Sequence, residues 1–320
     1  MNSIGIFLED DHLRPIWRFG LSVVLIFAAF VLTGEMLRAV FSIGKVHPSL
    51  VMAAFWQSLV GLVAIFAAFK LLTAVFERRP LGSVGLAFHP RWWRELGHGL
   101  AVGAAMLLLA VAMEYGCGFA HFTFTPHPML RAGSFTFILF ALAATNEESI
   151  FRGYPFQRLA ESITPAGAIA VTSAFFGLVH LGNPHASWIS TFNTALVGIP
   201  FCIAYLRTRS LWMPIGMHFI WNFLQGFFLG LPVSGIIIPT SVLAASARGP
   251  IWLTGGAYGP EGGLLATGAI LLGTAYLSLA KSIYTTEEMK ALVLSPVASL
   301  WPDPLITVFS APSGKEAKRD

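Results

Sequence analysis

The stretch SFTFILFALAATNEESIFRGYPFQRL, residues 134–159, opens as a run fit for hydrocarbon and then sets two glutamates and an arginine into it without a turn signal. Ionisable groups in lipid cost about 2.5–3.5 kcal/mol each on insertion scales, so a membrane helix keeps them only where they face protein or a polar cavity. In a helix Glu148 and Arg152 stand at i and i+4 and share a face, while Glu147 points about 100° away. One carboxylate is thereby neutralised by Arg152, and the other is left to hold or accept a proton. For this segment alone, a buried ion-pair anchor at a helix end is the plainer alternative.

The rest of the chain supports the membrane reading. Its 320 residues are 55% hydrophobic and 11% charged, with a mean hydropathy of +0.70, whereas soluble domains carry roughly a quarter charged residues. That composition argues against disorder, a nucleic-acid-binding domain and a secreted disulfide scaffold. Cys117 and Cys202 sit in or beside apolar runs and form neither a zinc spacing nor a disulfide framework. A net charge of +4 fits the basic bias of cytoplasmic loops as well as it fits nucleic acid. We therefore expect a lipid bilayer and a peptide or membrane-protein substrate as partners, and no nucleic acid.

Hydrocarbon is crossed by about 20 mainly apolar helical residues. Eight such segments are legible, at 18–41, 51–76, 96–116, 133–160, 165–183, 187–206, 211–231 and 262–281. The expected fold is thus all-α, a polytopic membrane helix bundle of about eight transmembrane helices. The first segment reads as a retained helix, because no small-residue cleavage site follows it. Arg14, Arg18, Arg78, Arg79, Arg91, Arg94, Arg152, Arg158, Arg207, Arg209 and Lys281 fall in alternate segments, and the opposite loops hold only Lys45, Arg131 and Arg248. By the positive-inside rule both termini are cytoplasmic, in a multi-pass protein of a bacterial inner membrane. The apolar stretch LPVSGIIIPTSVLAASA after 230, broken by Pro232, Gly235 and Pro239, reads as a re-entrant or surface segment. We divide the chain into N-terminal membrane helices (1–76), a catalytic core (77–231), the broken segment with the last membrane helix (232–281), and a flexible cytoplasmic tail (282–320).

Two further polar intrusions accompany the glutamates. FFGLVH, residues 175–180, ends an apolar helix with Phe176 and His180 on one face; MHFIWN, residues 217–222, sets His218 and Asn222 on one face of another. Singly, each has a bland reading as a core histidine or a helix-to-helix hydrogen bond. Together they place a base, imidazoles and an amide donor on three membrane helices, the equipment of acyl or peptide hydrolysis. No serine or cysteine nucleophile lies in a recognisable motif, which favours attack by activated water. Glu35 with Arg38, and Glu114, lie towards helix ends and read as snorkelling or local pairing. His47, His89, His98, His121, His127 and His185 fall in or near loops and are not expected to be primary catalysts.

In these motifs the chain resembles the CPBP intramembrane proteases, which include the CAAX prenyl endopeptidases and the Abi-like bacteriocin-processing proteins. The family pattern EExxxR, FxxxH and HxxxN stands here as Glu147-Glu148…Arg152, Phe176…His180 and His218…Asn222, in order, with RPLGSVGL at 79–86 resembling a segment that often precedes the core. The resemblance spans roughly residues 75–231. It implies an intramembrane endopeptidase acting on a membrane-associated or lipidated peptide near the cytoplasmic face. Glu147 would be the general base on water and His180 would hold that water. Glu148 and Arg152 would support the site as a pair, while His218 and Asn222 would polarise the scissile carbonyl. It equally implies a second option, with Glu147, His180 and His218 ligating Zn2+ or another divalent metal, beside a metal-free glutamate mechanism. The competing classes are a proton-coupled transporter, against which no inverted repeat is found, and a non-catalytic membrane chaperone or assembly factor on the same fold.

Overall fold

The computed structural model describes residues 4–9, 12–126 and 129–294. Among these, ten helices of eight residues or more build the fold: α1 Pro15–Ile43, α2 Leu50–Leu72, α3 Trp92–Gly116, α4 Met129–Arg152, α5 Tyr154–Ser162, α6 Pro165–Val179, α7 Trp188–Thr208, α8 Trp212–Phe223, α9 Leu264–Leu279 and α10 Glu287–Leu294. π-helical turns extend α2 over Thr73–Glu77 and α8 over Leu224–Phe228. By length and composition α1, α2 with its π turn, α3, α6 with the turn after it, and α7 can each cross a membrane. The remaining expected spans are α4, which carries Arg131 and the EExxxR charges, and the shorter α8 and α9. The protein is an all-α membrane bundle.

The fourth expected span, 133–160, is two helices. Gly153 ends α4, and a Cβ there would lie 2.4 Å from the Ser149 carbonyl oxygen. Pro155, in the first turn of α5, has no N–H with which to continue the ladder. The resulting kink buries α5 against α1 and α6.

The bundle has two chemically distinct ends. At the basic end, Glu77 takes Arg158 at 2.9 Å and Arg18 at 3.5 Å, and Arg158 also reaches Glu161 at 2.8 Å. Trp92 and Trp212 meet there with ring centroids 5.1 Å apart. The segment after Lys281, read from sequence as a flexible tail, is ordered as far as it is described. Ile283, Met289 and Val293 are buried, Arg91 lies 4.4 Å over the Tyr284 ring, and Arg79 bonds the Val293 carbonyl. Residues 295–320 lie outside the described residues.

The opposite end is roofed by the segment 232–263. Strand β1, Ala120–Phe124, pairs antiparallel with β2, Leu243–Ala247, in the register Ala120↔Ala247 to Phe124↔Leu243. Among the described residues this ribbon is one of two small additions to the expected all-α fold, the other being the pairing of Leu8–Glu9 with His12–Leu13. The broken apolar segment is therefore a cap stitched to the α3–α4 connection.

The core runs between the two ends, with α8 at its centre. A Cβ on Gly99 would lie 2.1 Å from the Met213 carbonyl oxygen, and one on Gly103 would lie 2.4 Å from that of Met217. Only glycine lets α3 approach α8 this closely, and the contact fixes the helix that carries His218. Glu114, expected to snorkel, is instead buried on α3 at 1% exposure. Glu35 and Arg38 pair at the surface as expected, at 3.1 Å.

Candidate active site

The deepest layer of the site is the Glu148–Arg152 pair. Both side chains are fully buried, with Arg152 Nη1 3.2 Å from Glu148 Oε1, one helical turn apart on α4. The second guanidinium nitrogen donates to the Gly198 carbonyl in the middle of α7 at 3.2 Å. Aromatic rings close the rest of the cage, with the guanidinium 4.4 Å from the Phe176 ring centre and 5.1 Å from that of Phe201. In this enclosure a carboxylate, a carbonyl and two π faces take the place of water around the guanidinium.

Glu148 also reaches the second layer. Its Oε1 lies 2.8 Å from His218 Nδ1, which makes Nδ1 the donor and turns Nε2 outward. Phe201 stacks on the His218 ring at 5.5 Å and Phe176 meets it edge-on at 6.2 Å, so the ring has no freedom to turn. His180, at the end of α6, is held similarly: its Nδ1 donates to the Phe176 carbonyl at 2.6 Å. Phe176 thus fixes both imidazoles, one through its carbonyl and one through its ring.

Glu147 stands where the two free nitrogens point. Its Oε2 is 3.8 Å from His180 Nε2 and 3.8 Å from His218 Nε2, and this buried oxygen has no hydrogen-bond partner in the protein. Distances of 3.8 Å are too long for direct hydrogen bonds and suit one small molecule shared among three acceptor or donor atoms. Asn222, one turn beyond His218 on α8, lines the same space. All six residues singled out from the sequence are therefore gathered in one place. Glu147, His180, His218 and Asn222 line the cavity, and Glu148 and Arg152 lie behind it.

Two connected hollows share His180, His218, Asn222 and Ser234. The larger, about 240 Å³, has Glu147 and the imidazoles as its floor and apolar walls from α2, α4 and the loop 233–238. The smaller, about 50 Å³, runs inward between α7, α8 and α9 past Asn193, Thr194 and Glu261. Both lie toward the capped end. The cavity does not open to the basic end, where the sequence reading places the substrate. The reason is packing, because Tyr154, Phe156, Leu211 and Met213 fill the space below Arg152.

Glu147, His180 and His218 are donors of the kind zinc prefers, each histidine anchored through its other nitrogen as metal-ligating histidines are. Among the described residues no cluster of three or more His, Cys, Asp or Glu side chains stands out as a metal centre.

Sequence reasoning missed the carboxylate of Glu261. It accepts from the Ser234 backbone N–H at 2.6 Å, from the Ser234 hydroxyl at 3.3 Å, and from Gln225 on the π turn. Asn193 Nδ2 donates to the backbone carbonyls of Glu261 and Gly263, at 3.0 and 2.8 Å. Glu261 therefore ties the cap to α7 and to the end of α8. In the sequence it stands in GPEGG, a glycine-rich loop with no partner at fixed spacing; its one signal was a lone carboxylate between two apolar segments.

Residues 130–224 match the family model described as type II CAAX prenyl endopeptidase, Rce1-like. No curated protein and no solved structure matches the chain. The match begins on α4 and ends on the first residue of the π turn after α8, so it contains all three motifs and leaves out α1–α3 and the cap. Through this motif-bearing core, the chain is similar to the CAAX-type family of membrane proteases.

Proposed function

We propose that the protein is an intramembrane endopeptidase that hydrolyses a peptide bond of a membrane-associated or lipidated peptide with water activated by Glu147. The observation that carries this reading is the convergence of Glu147 Oε2 with the free Nε2 atoms of His180 and His218, each 3.8 Å away. A water placed among them gives one proton to Glu147, while His180 Nε2 accepts a hydrogen bond from the other and aims the oxygen.

His218, with Nδ1–H on Glu148, presents Nε2–H to the scissile carbonyl oxygen when doubly protonated, and Asn222 adds its amide N–H. Attack forms the C–O bond and places negative charge on that oxygen. Glu147 then returns its proton to the departing nitrogen as the C–N bond breaks, leaving an acid and an amine. Glu148 balances charge on His218, and Arg152 pairs with Glu148 from behind. Each of these steps is carried by the chain's own residues.

The test is Glu147→Gln. The side chain is one-third exposed and keeps its shape, so the variant folds and inserts. Hydrolysis of a lipidated or membrane-anchored reporter falls at least about 10²-fold, the lower end of a general-base contribution. Turnover near the wild-type rate in this variant removes Glu147 from the base role.

A further inference from the structure

We propose that the substrate reaches the site from the capped end of the bundle, on the side of the membrane opposite the basic end, as an extended segment with apolar side chains beside the scissile bond. The peptide-bond chemistry in this statement rests on the hydrolytic reading above; the direction of access does not.

Two independent observations carry it. The first is what surrounds the opening. One wall of the larger hollow is Leu50, Val51 and Ala54, the first turns of α2, and the facing wall is Val233, Ile236 and Ile238 of the cap. Leu50 and Ile237 on the lip are 62% and 70% exposed. Asn146, beside Glu147, bonds the Ser58 carbonyl, so the glutamates lie level with the third turn of a helix that begins at the capped end. The second is what closes the other direction. Below Glu148 and Arg152 the chain is packed solid, and beneath that core the Arg18–Glu77–Arg158 cluster seals the basic end.

The basic end carries Arg78, Arg91, Arg94, Arg207, Arg209 and Lys281, and such a bias marks the cytoplasmic side. The cavity therefore faces away from the cytoplasm. Its mainly apolar walls above a polar floor recognise a segment whose flanking side chains leave lipid for protein at little cost, while its peptide group meets the polar floor.

Accessible side is measured with one added cysteine at a time in a Cys117→Ser background, where the remaining Cys202 is buried, in sealed vesicles of known orientation, with a membrane-impermeant maleimide. Lys281→Cys, exposed at the basic end, reports one face. Val51→Cys and Ile236→Cys report the mouth, and if only one of these two folds, that one decides. The expected result is that the mouth positions react only from the face opposite Lys281→Cys. Reaction from the Lys281 face, or protection from both faces, overturns the proposal. Labelling does not depend on cleavage, so it stands or falls separately from the Glu147→Gln assay.

Discussion

Replacing Arg152 with methionine removes the guanidinium while keeping much of the side-chain length. The guanidinium is the main partner of a carboxylate that has no solvent exposure, at 3.2 Å. Removing one member of a buried pair costs about 3–5 kcal/mol. The lost contact with Phe176, 4.4 Å from the guanidinium carbon, adds about 1 kcal/mol. His218 works in the opposite sense: with Nδ1 2.8 Å from the same carboxylate oxygen, it can carry a compensating proton. We therefore expect Arg152→Met to destabilise the protein by about 3 kcal/mol. Adding Glu148→Gln removes the stranded charge and leaves His218 an amide oxygen to bond. A buried ion pair replaced by neutral groups of similar volume is often nearly neutral in stability, so the double variant recovers to within about 1–2 kcal/mol of wild type. Reversible unfolding in mixed detergent micelles measures all three proteins. A double variant less stable than Arg152→Met, or an Arg152→Met protein as stable as wild type, would refute the stranded-charge argument.

Further outcomes follow from other parts of the site. Dialysis against a strong chelator is expected to leave reporter hydrolysis within about twofold; loss restored by added zinc would move Glu147, His180 and His218 into ligand roles. Gly103→Val sets side-chain atoms against the Met217 carbonyl and Ile220, so it should cost more than the about 1–3 kcal/mol of ordinary overpacking. Gly97→Ala, where a Cβ meets nothing within 4 Å, should be neutral or stabilising by up to about 1 kcal/mol; equal losses at both positions would discount the close α3–α8 approach. Burial pushes the Glu261 carboxyl up to about 7. The folded chain then binds more protons there than the unfolded one, so stability falls as pH rises from the ordinary glutamate range through about 7. Unfolding compared at pH about 5 and about 8 should show a smaller drop for Glu261→Gln than for wild type, and equal drops would place the titration elsewhere.

The motif residues were legible because hydrocarbon makes polar side chains conspicuous. Glu147, His180 and His218 interrupt runs that otherwise contain almost nothing ionisable, and their cost in lipid marks them without reference to any partner. Pairing of Glu148 with Arg152 was equally readable from helical spacing. The break at Gly153 was signalled by Gly153-Tyr154-Pro155 but masked by the amphipathic YPFQRLAES that follows, which continues the helical period after the axis has bent. The side on which the cavity opens was not readable, since it depends on which residues fill the bundle beneath Arg152. Nor was Glu261: its partners Gln225 and Ser234 lie in a π turn and a loop, neither of which has a periodicity that sequence can display. Glu114 was misjudged for a related reason, because closeness to a helix end says nothing about whether another segment covers that end.

The cap is the last part of the cavity to be made. α4, α6 and α8 carry every motif residue, yet the roof and one wall come from residues 232–263, and Asn193 holds that roof through carbonyls at 261 and 263. Chains emerge and fold from the N-terminus, so at the ribosome the two glutamates and both histidines are inserted while the facing wall does not yet exist. Until α9 enters the membrane, the nascent site is an open trough in lipid rather than a cleft. A half-made protein therefore has the polar floor without the wall that faces it, and the order of synthesis itself makes the cavity the last feature of the bundle to be completed.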